Sequence, residues 1–293
     1  MNIHVKSKFF LADGTIHLTF KANPSHSMGS NMNITTLVKL SLIISIAWCL
    51  STPTSAQTYG DLGRKGAFRP SEANRKDSYQ YLADPTGSAP SAKVQAFSIA
   101  PGCTVQDDCL YNSVRAVLIQ RSELPQPKVA WYGWSMYFPP EFVTAKAQPS
   151  RGYYTFLNFK SHNCPYFSIG NVRDSTKLSL VIGTSSGAEN DDCGWLEIID
   201  LLDIEKYRGQ WIRIDMQVRW SKGSDGLIAV YINDKLVKNR KGANLLTHTT
   251  QGAVNRLGYG VYLCCTDDDH AVLPSTVLFT NLSRATTREE LMR

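Results

Sequence analysis

The sequence predicts an all-β protein, a sandwich or jelly roll of two curved antiparallel sheets. Three observations carry that prediction. Short apolar or alternating runs recur from Val94 to Leu282, separated by Gly, Pro, Asn and Asp. No segment carries the sustained 3.6-residue apolar stripe of an amphipathic helix. One run, residues 211–220, alternates strictly: Ile212, Ile214, Met216, Val218 and Trp220 against Arg213, Asp215, Gln217 and Arg219. A period of two with one apolar face is a half-buried strand.

In chain order, strands are expected at 94–99, 114–120, 129–138, 153–160, 177–182, 195–199, 211–220, 227–233, 257–263 and 276–282. The run at 114–120 ends in the charged pair Arg121 and Glu123, then crosses a turn containing Pro125 and Pro127. The aromatic run that follows stops at Pro139-Pro140, which can neither donate ladder hydrogen bonds nor continue a helix. Within it Tyr132, Trp134, Met136 and Phe138 read as core, leaving Trp131 and Tyr137 on the other face to stack on sugar rings. In 153–160 the same alternation sends Thr155, Leu157 and Phe159 one way and Tyr154, Phe156, Asn158 and Lys160 the other. The turn Ser221-Lys-Gly-Ser-Asp-Gly226 joins 211–220 to the next run as a hairpin. The polar faces of 153–160 and 211–220 are expected to form a groove holding Tyr154, Arg213, Gln217 and Arg219.

Domain organisation follows from composition. Met32 opens a basic stretch, an apolar run from Leu40 to Leu50 and a small-residue exit ending at Ala56. That is a secretory signal peptide over 32–56, cleaved near Ala56, and its apolar run is too short to span a membrane. A secreted or periplasmic protein is expected. The first 31 residues carry no recognisable role, which places the translation start at Met28 or Met32. Residues 57–92 are rich in Gly, Ser, Pro and charge and read as an irregular arm; 93–285 form the folded domain and 286–293 a tail.

Of the 293 residues, 43% are hydrophobic and 19% charged, enough for a sizeable core. The net charge is +6, but residues 1–56 hold four lysines against one aspartate, so half of the excess lies outside the expected domain. No basic cluster interleaves with aromatics, which argues against nucleic acid. A modest positive excess suits an acidic ligand if it converges on one groove. A monomer is expected. Beyond Cys49 there are six cysteines, an even count that in an exported chain favours disulfides. Cys103 and Cys109 are the easiest pair to propose, and Cys164 with Cys193 a weaker one. The adjacent Cys264 and Cys265 cannot both face one side of a strand, and their partners stay open.

The series GC…DC, RSEL, WYGWSMYFPPEF, FLNFK, RGQWIRIDMQVRWSKGSDGLIAVYINDK and LGYGVY resembles the heparin-lyase-I-like polysaccharide lyases. The likeness runs in order from about Val94 to Arg284, and the relatives of that family include glucuronan lyases and, further off, alginate lyases. What it implies is a concanavalin-like jelly roll and β-elimination on a uronate-containing polysaccharide. That reaction needs a group to neutralise the carboxylate, a base for the neighbouring C–H, and an acid for the leaving oxygen. In the alginate-lyase relatives these come from an Arg in an R-S/T-E motif, a Q-x-H pair and a Tyr in A-G-x-Y. By position, Arg121 with Glu123 matches the first and Tyr262 the last, while Asn158 and Lys160 replace Gln and His. The resemblance thus implies that Arg121, Lys160 and Asn158 bind the carboxylate. It also makes Tyr262, its pKa lowered by the cations, both base and acid, with His162 as substitute base.

Competing readings remain for several of these residues. Arg121 and Glu123 can be a structural ion pair, Tyr262 a half-buried strand tyrosine, Lys160 a solvated strand end and His162 an incidental loop residue. The Asn and Lys departures leave a non-catalytic carbohydrate-binding protein open. A glycoside hydrolase is disfavoured, because Glu197 and Asp200 are three apart and point to opposite faces of a strand. No metal site and no cofactor are expected. Asp267-Asp268-Asp269-His270 reads as a solvated loop, with weak structural calcium binding as the alternative.

Overall fold

The computed structural model describes residues 67–71, 74–121, 128–160, 165–185, 193–245 and 256–292, with two-residue strands at 11–12, 15–16 and 57–58. The chain divides into units Met1–Pro53 and Thr54–Arg293. In the first, β1 (Leu11–Ala12) pairs antiparallel with β2 (Thr15–Ile16). The expected leader at 32–56 lies outside the described residues. Among those residues no helix is long and apolar enough to cross a membrane.

The second unit is built almost wholly of strands. They are β3 (Gln57–Thr58), β4 (Phe68–Pro70), β5 (Tyr79–Ala83), β6 (Lys93–Ile99), β7 (Val114–Gln120), β8 (Val129–Tyr137) and β9 (Tyr153–Lys160), then β10 (Pro165–Asn171), β11 (Lys177–Ser185), β12 (Cys193–Asp203), β13 (Trp211–Arg219), β14 (Leu227–Ile232), β15 (Lys235–Lys241), β16 (Arg256–Cys264) and β17 (Ser275–Ala285). Helices are short: α1 (Gln106–Leu110), α2 (Ile204–Tyr207) and α3 (Arg288–Leu291). One sheet runs β12-β11-β10-β9-β16-β7-β4, the other β15-β14-β13-β8-β17-β6-β5, with β3 also paired to β17. Pairing within both is antiparallel, as the short alternating runs require. The expected two-sheet jelly roll is the architecture.

The core lies between the sheets. From β13 it receives Ile212, Ile214, Met216 and Val218, and from β8 Tyr132, Trp134 and Met136, all buried as the alternation requires. The facing sheet contributes Leu118, Phe159, Phe167 and Tyr259. Aromatic rings lock the layers: Phe97 meets Tyr259 and Phe279 edge-on at 5.5 Å, and Phe159 meets Trp220 at 5.3 Å.

Two boundaries differ from expectation. The 57–92 segment is not all irregular: β4 pairs with β7 and β5 with β6, one added to the edge of each sheet. Local composition argues for an arm, but an edge strand needs only one partner and little apolar sequence. The tail also folds. Thr287 and Glu290 form a capping box on α3, and Arg288 reaches the buried Asp215 at 3.2 Å and Asp234 at 2.8 Å.

Candidate functional site: a cationic cleft on the seven-stranded sheet

Three adjacent strands of the seven-stranded sheet, β9, β16 and β7, carry a cleft on the face turned away from the core. Its polar lining includes Arg115, Thr155, Asn158, Lys160, Arg256 and Tyr262. Each lies at an outward position. On β7 the buried Ala116 and Leu118 alternate with Arg115, Val117 and Ile119. On β16, Leu257, Tyr259 and Leu263 point inward, so Arg256, Gly258 and Tyr262 point out. Register sets Lys160 opposite Arg256, Asn158 opposite Gly258, and Tyr262 between Thr155 and Arg115.

On β9 the alternation breaks. Ile169 pairs with Leu157 but the next residue, Gly170, pairs with Thr155, so Phe156 is an extra residue relative to β10. The register with β16 shifts at the same place. A bulge of this kind reverses which parity faces the core. Thr155, Asn158 and Lys160 therefore share the cleft, while Tyr154 points into the core. The expectation that Tyr154 lines the groove is corrected: it is 1% exposed, and its hydroxyl accepts from Gln148 Nε2 at 2.6 Å.

Two glycines of the Gly258-Tyr-Gly-Val-Tyr262 run shape the floor. A Cβ on Gly258 would stand 2.8 Å from Asn158 Oδ1, so its absence is what admits the asparagine side chain. Gly260 has φ +132, a conformation other residues rarely adopt, and a Cβ there would meet Ala116 O at 2.3 Å. Asn158 Oδ1 is buried without a hydrogen-bond partner among the described residues. A buried amide end costs free energy until something pairs with it, and here it lies in the cleft. The cavity is about 60 Å³, well short of the about 150 Å³ that encloses a benzene-sized ring. A ligand larger than that must lie along the open cleft rather than inside it.

Electrostatics set the chemistry. Arg115 is held by Asp108 of α1, which is almost wholly buried. Nε donates to Oδ2 at 2.8 Å and Nη2 to Oδ1, a bidentate pair. The Cys103–Cys109 disulfide closes the loop that carries Asp108, as proposed from the spacing. The guanidinium of Arg115 lies 4.5 Å from the centre of the Tyr262 ring. Burial first, then the charges of Arg115 and Arg256, hold the Lys160 amine below the ordinary lysine value, with Asp108 opposing. Burial pushes the Tyr262 phenol above its ordinary value, and the opposing pull of the Ser113 hydrogen bond and Arg115 does not overcome it. The expectation that nearby cations lower Tyr262 is thus reversed: desolvation outweighs them.

The remaining expected site residues lie elsewhere. Arg121 continues the outward face of β7 but is exposed, does not line the cleft, and donates to Phe68 O at 3.1 Å. Arg115, six residues earlier on the same face, occupies the cleft. Glu123, His162 and Cys164 lie outside the described residues, as does the side chain of Cys193. Trp131, Tyr137, Arg213, Gln217 and Arg219 are on the outer face of the eight-stranded sheet, across the core from the cleft. There Trp131 packs on Tyr231 at 5.8 Å, Tyr137 on Trp211 at 5.4 Å, and Arg213 pairs with Asp215 at 2.7 Å. Alternation assigned their face correctly, but which two polar faces share a groove depends on sheet order, which alternation does not contain. Cys264 and Cys265 are bonded to each other, with Cys265 at φ 57. Glu197 pairs with Arg240 at 2.8 Å and Asp200 accepts from Ser179, so these carboxylates are not paired across a cleft. Asp269 accepts from the Cys103 N–H and Asp268 from the His270 N–H, both backbone-capping roles.

Arg115 and Arg256 are two charged cleft residues absent from the expected set. Arg115 could have been found, since it shares parity with Arg121. Arg256 shares parity with Gly258 and Tyr262, but its run was placed one residue too late to include it.

The polysaccharide lyase family matches residues 61–273, more than half of the chain. No curated sequence matches. Among solved structures, the endo-β-1,4-glucuronan lyase of the fungus Trichoderma reesei aligns at TM-score 0.56 and 12% identity, over 82% of this chain and 98% of that one. At that identity the likeness speaks for the fold. The alginate lyase vAL-1 from Chlorella virus aligns at TM-score 0.49 and 10% identity, over 80% and 99%. With the jelly roll and its cleft in place, the family match assigns the chain: it belongs to the polysaccharide lyases.

Proposed function

We propose that this lyase is exported and cleaves a uronate-containing polysaccharide by β-elimination in the cleft of β9, β16 and β7. The observation that carries the reading is the convergence of Arg115, Lys160 and Arg256 on one cavity with the Tyr262 phenol. Three basic side chains in a shallow cleft suit a chain of carboxylates. The fungal structure of similar fold is named as a glucuronan lyase, which agrees with that charge.

The guanidinium groups of Arg115 and Arg256 neutralise the uronate carboxylate and the Asn158 Nδ2–H donates to it, which acidifies the adjacent C–H. Lys160, in its unprotonated form, takes that proton. As the carbon–carbon double bond forms, the glycosidic C–O bond breaks, and the Tyr262 hydroxyl gives its proton to the departing oxygen. Lys160 then returns a proton to Tyr262, by way of solvent, before the next cycle. This division of roles departs from the motif-based one because the perturbations point that way: a raised phenol is a scarce base and an available acid, and a lowered amine the reverse. The steps use side chains alone and call for no cofactor.

The test is ultraviolet absorbance of the unsaturated uronate product. Residues 57–293, disulfides intact, are incubated in parallel with glucuronan, alginate, heparin, hyaluronan and pectate. A rise with a polyuronate is expected. New reducing ends without absorbance would mean hydrolysis and would overturn the reading; polymer retention without product would mean a binding protein.

A further inference from the structure

Beyond Tyr262 the outward face of the seven-stranded sheet continues into a cluster outside the cavity. Tyr153 lies two residues before Thr155 on the same face of β9, a step of about 7 Å at the usual rise per residue. Along the ladder Tyr154 opposite Leu263 follows Tyr262, and Tyr153 opposite Cys264 comes after it, so on the outward face of β9 Tyr153 is the first residue past Thr155. Burial first, then the neighbouring Tyr262 phenol, push the Tyr153 phenol up to about 12, with Arg173 opposing. Against its ring, edge-on at 5.0 Å, stands the indole of Trp195 from β12. That indole is 44% exposed, far more than a strand tryptophan packed in a core. Arg173 completes the group. It is the positive charge that acts on Tyr153, and its Nη2 donates to Cys265 O at 2.7 Å. Its ion pair with Asp267, at 4.0 Å between exposed side chains, is weak.

Resting on the lyase reading above, we propose that Trp195, Tyr153 and Arg173 form a further sugar-binding subsite, taking the uronate unit next to the one held in the cleft. A half-exposed indole held in T-shaped contact with a tyrosine offers apolar ring surface, the complement of the C–H face of a pyranose. The guanidinium uses one of its five N–H donors on Cys265 O, which leaves donors for a carboxylate. Continuity with the cleft fixes the occupant: a polymer lying along the sheet past Tyr262 meets this cluster next. A pairing of apolar face and cation is what a charged sugar needs and a neutral one does not.

The subsite predicts chain-length dependence. On the polymer that yields unsaturated product, Trp195→Ala raises KM about tenfold with little change in kcat, and Trp195→Phe recovers most of the loss. On purified oligosaccharides of that polymer, the deficit is confined to chains long enough to reach beyond the cleft. Arg173→Gln weakens binding of the same long chains. Equal losses at every chain length, or no loss at any, would overturn the subsite. Retardation in gels containing each of the five polymers reads binding apart from turnover. If no polymer gives unsaturated product, the lyase reading fails. The subsite then stands if a gel retards wild type more than Trp195→Ala, and falls if the two migrate alike.

Discussion

Lys160→Met is expected to lower kcat/KM by about 10³-fold, the range that a positioned general base contributes, and Lys160→Arg to lower it as far. The second variant decides the role. Arginine keeps the positive charge but does not deprotonate in the working range, so it can neutralise a carboxylate and cannot accept the proton. An active Lys160→Arg enzyme would show that the residue acts by charge alone and would return the base to Tyr262. The pH profile supplies an independent reading. A base must be unprotonated, so activity rises as pH passes up through the Lys160 value, which lies below that of a free lysine. An acid must be protonated, so activity falls only above the Tyr262 value, which lies above that of a free tyrosine. The expected result is a bell with its upper limb displaced to high pH. Were Tyr262 the base, activity would instead climb only where the raised phenol ionises, with no falling limb there.

Asp108→Ala is expected to destabilise the protein by about 3 kcal/mol, measured by denaturant unfolding, because it removes one partner of a largely buried ion pair and leaves the other uncompensated. The Asp108 side chain is 2% exposed and that of Arg115 21%, so little water reaches the arginine in exchange. The double variant Asp108→Leu, Arg115→Met is expected to recover most of that stability while remaining inactive. It removes the isolated charge but also the cation that neutralises the substrate. A single-variant loss below about 1 kcal/mol would show that Arg115 finds solvent on its own and does not depend on Asp108 for its place.

Much of the fold was legible because strand alternation is a local property. Residues 211–219 alternate without interruption, and the structure buries the apolar set and sets the hairpin to β14 where the turn residues place it. Strand β10 escaped notice because Pro165 and Gly170 interrupt a short run, yet it is flanked by β9 and β11 and needs no signal of its own. The site was legible in part. Tyr262, Lys160 and Asn158 do converge. Arg121 matches the motif by position, but the parity it shares with Arg115 leaves open which of the two reaches the cleft. Trp131 and Arg213 were assigned to the groove because nothing local says which sheet a polar face belongs to. Tyr154 was misplaced by one residue, Phe156, whose bulge reverses the parity of β9.

The position of the cleft also governs how the enzyme would lose function. Its residues sit on β9, β16 and β7, each paired on both sides within the sheet. Amides there exchange with solvent only when the whole domain opens, so turnover and global stability share one free energy. Trp195 sits on β12, the outermost strand of the same sheet, where fraying costs far less. A gently heated enzyme would therefore shed its grip on long chains while its chemistry on short ones persisted.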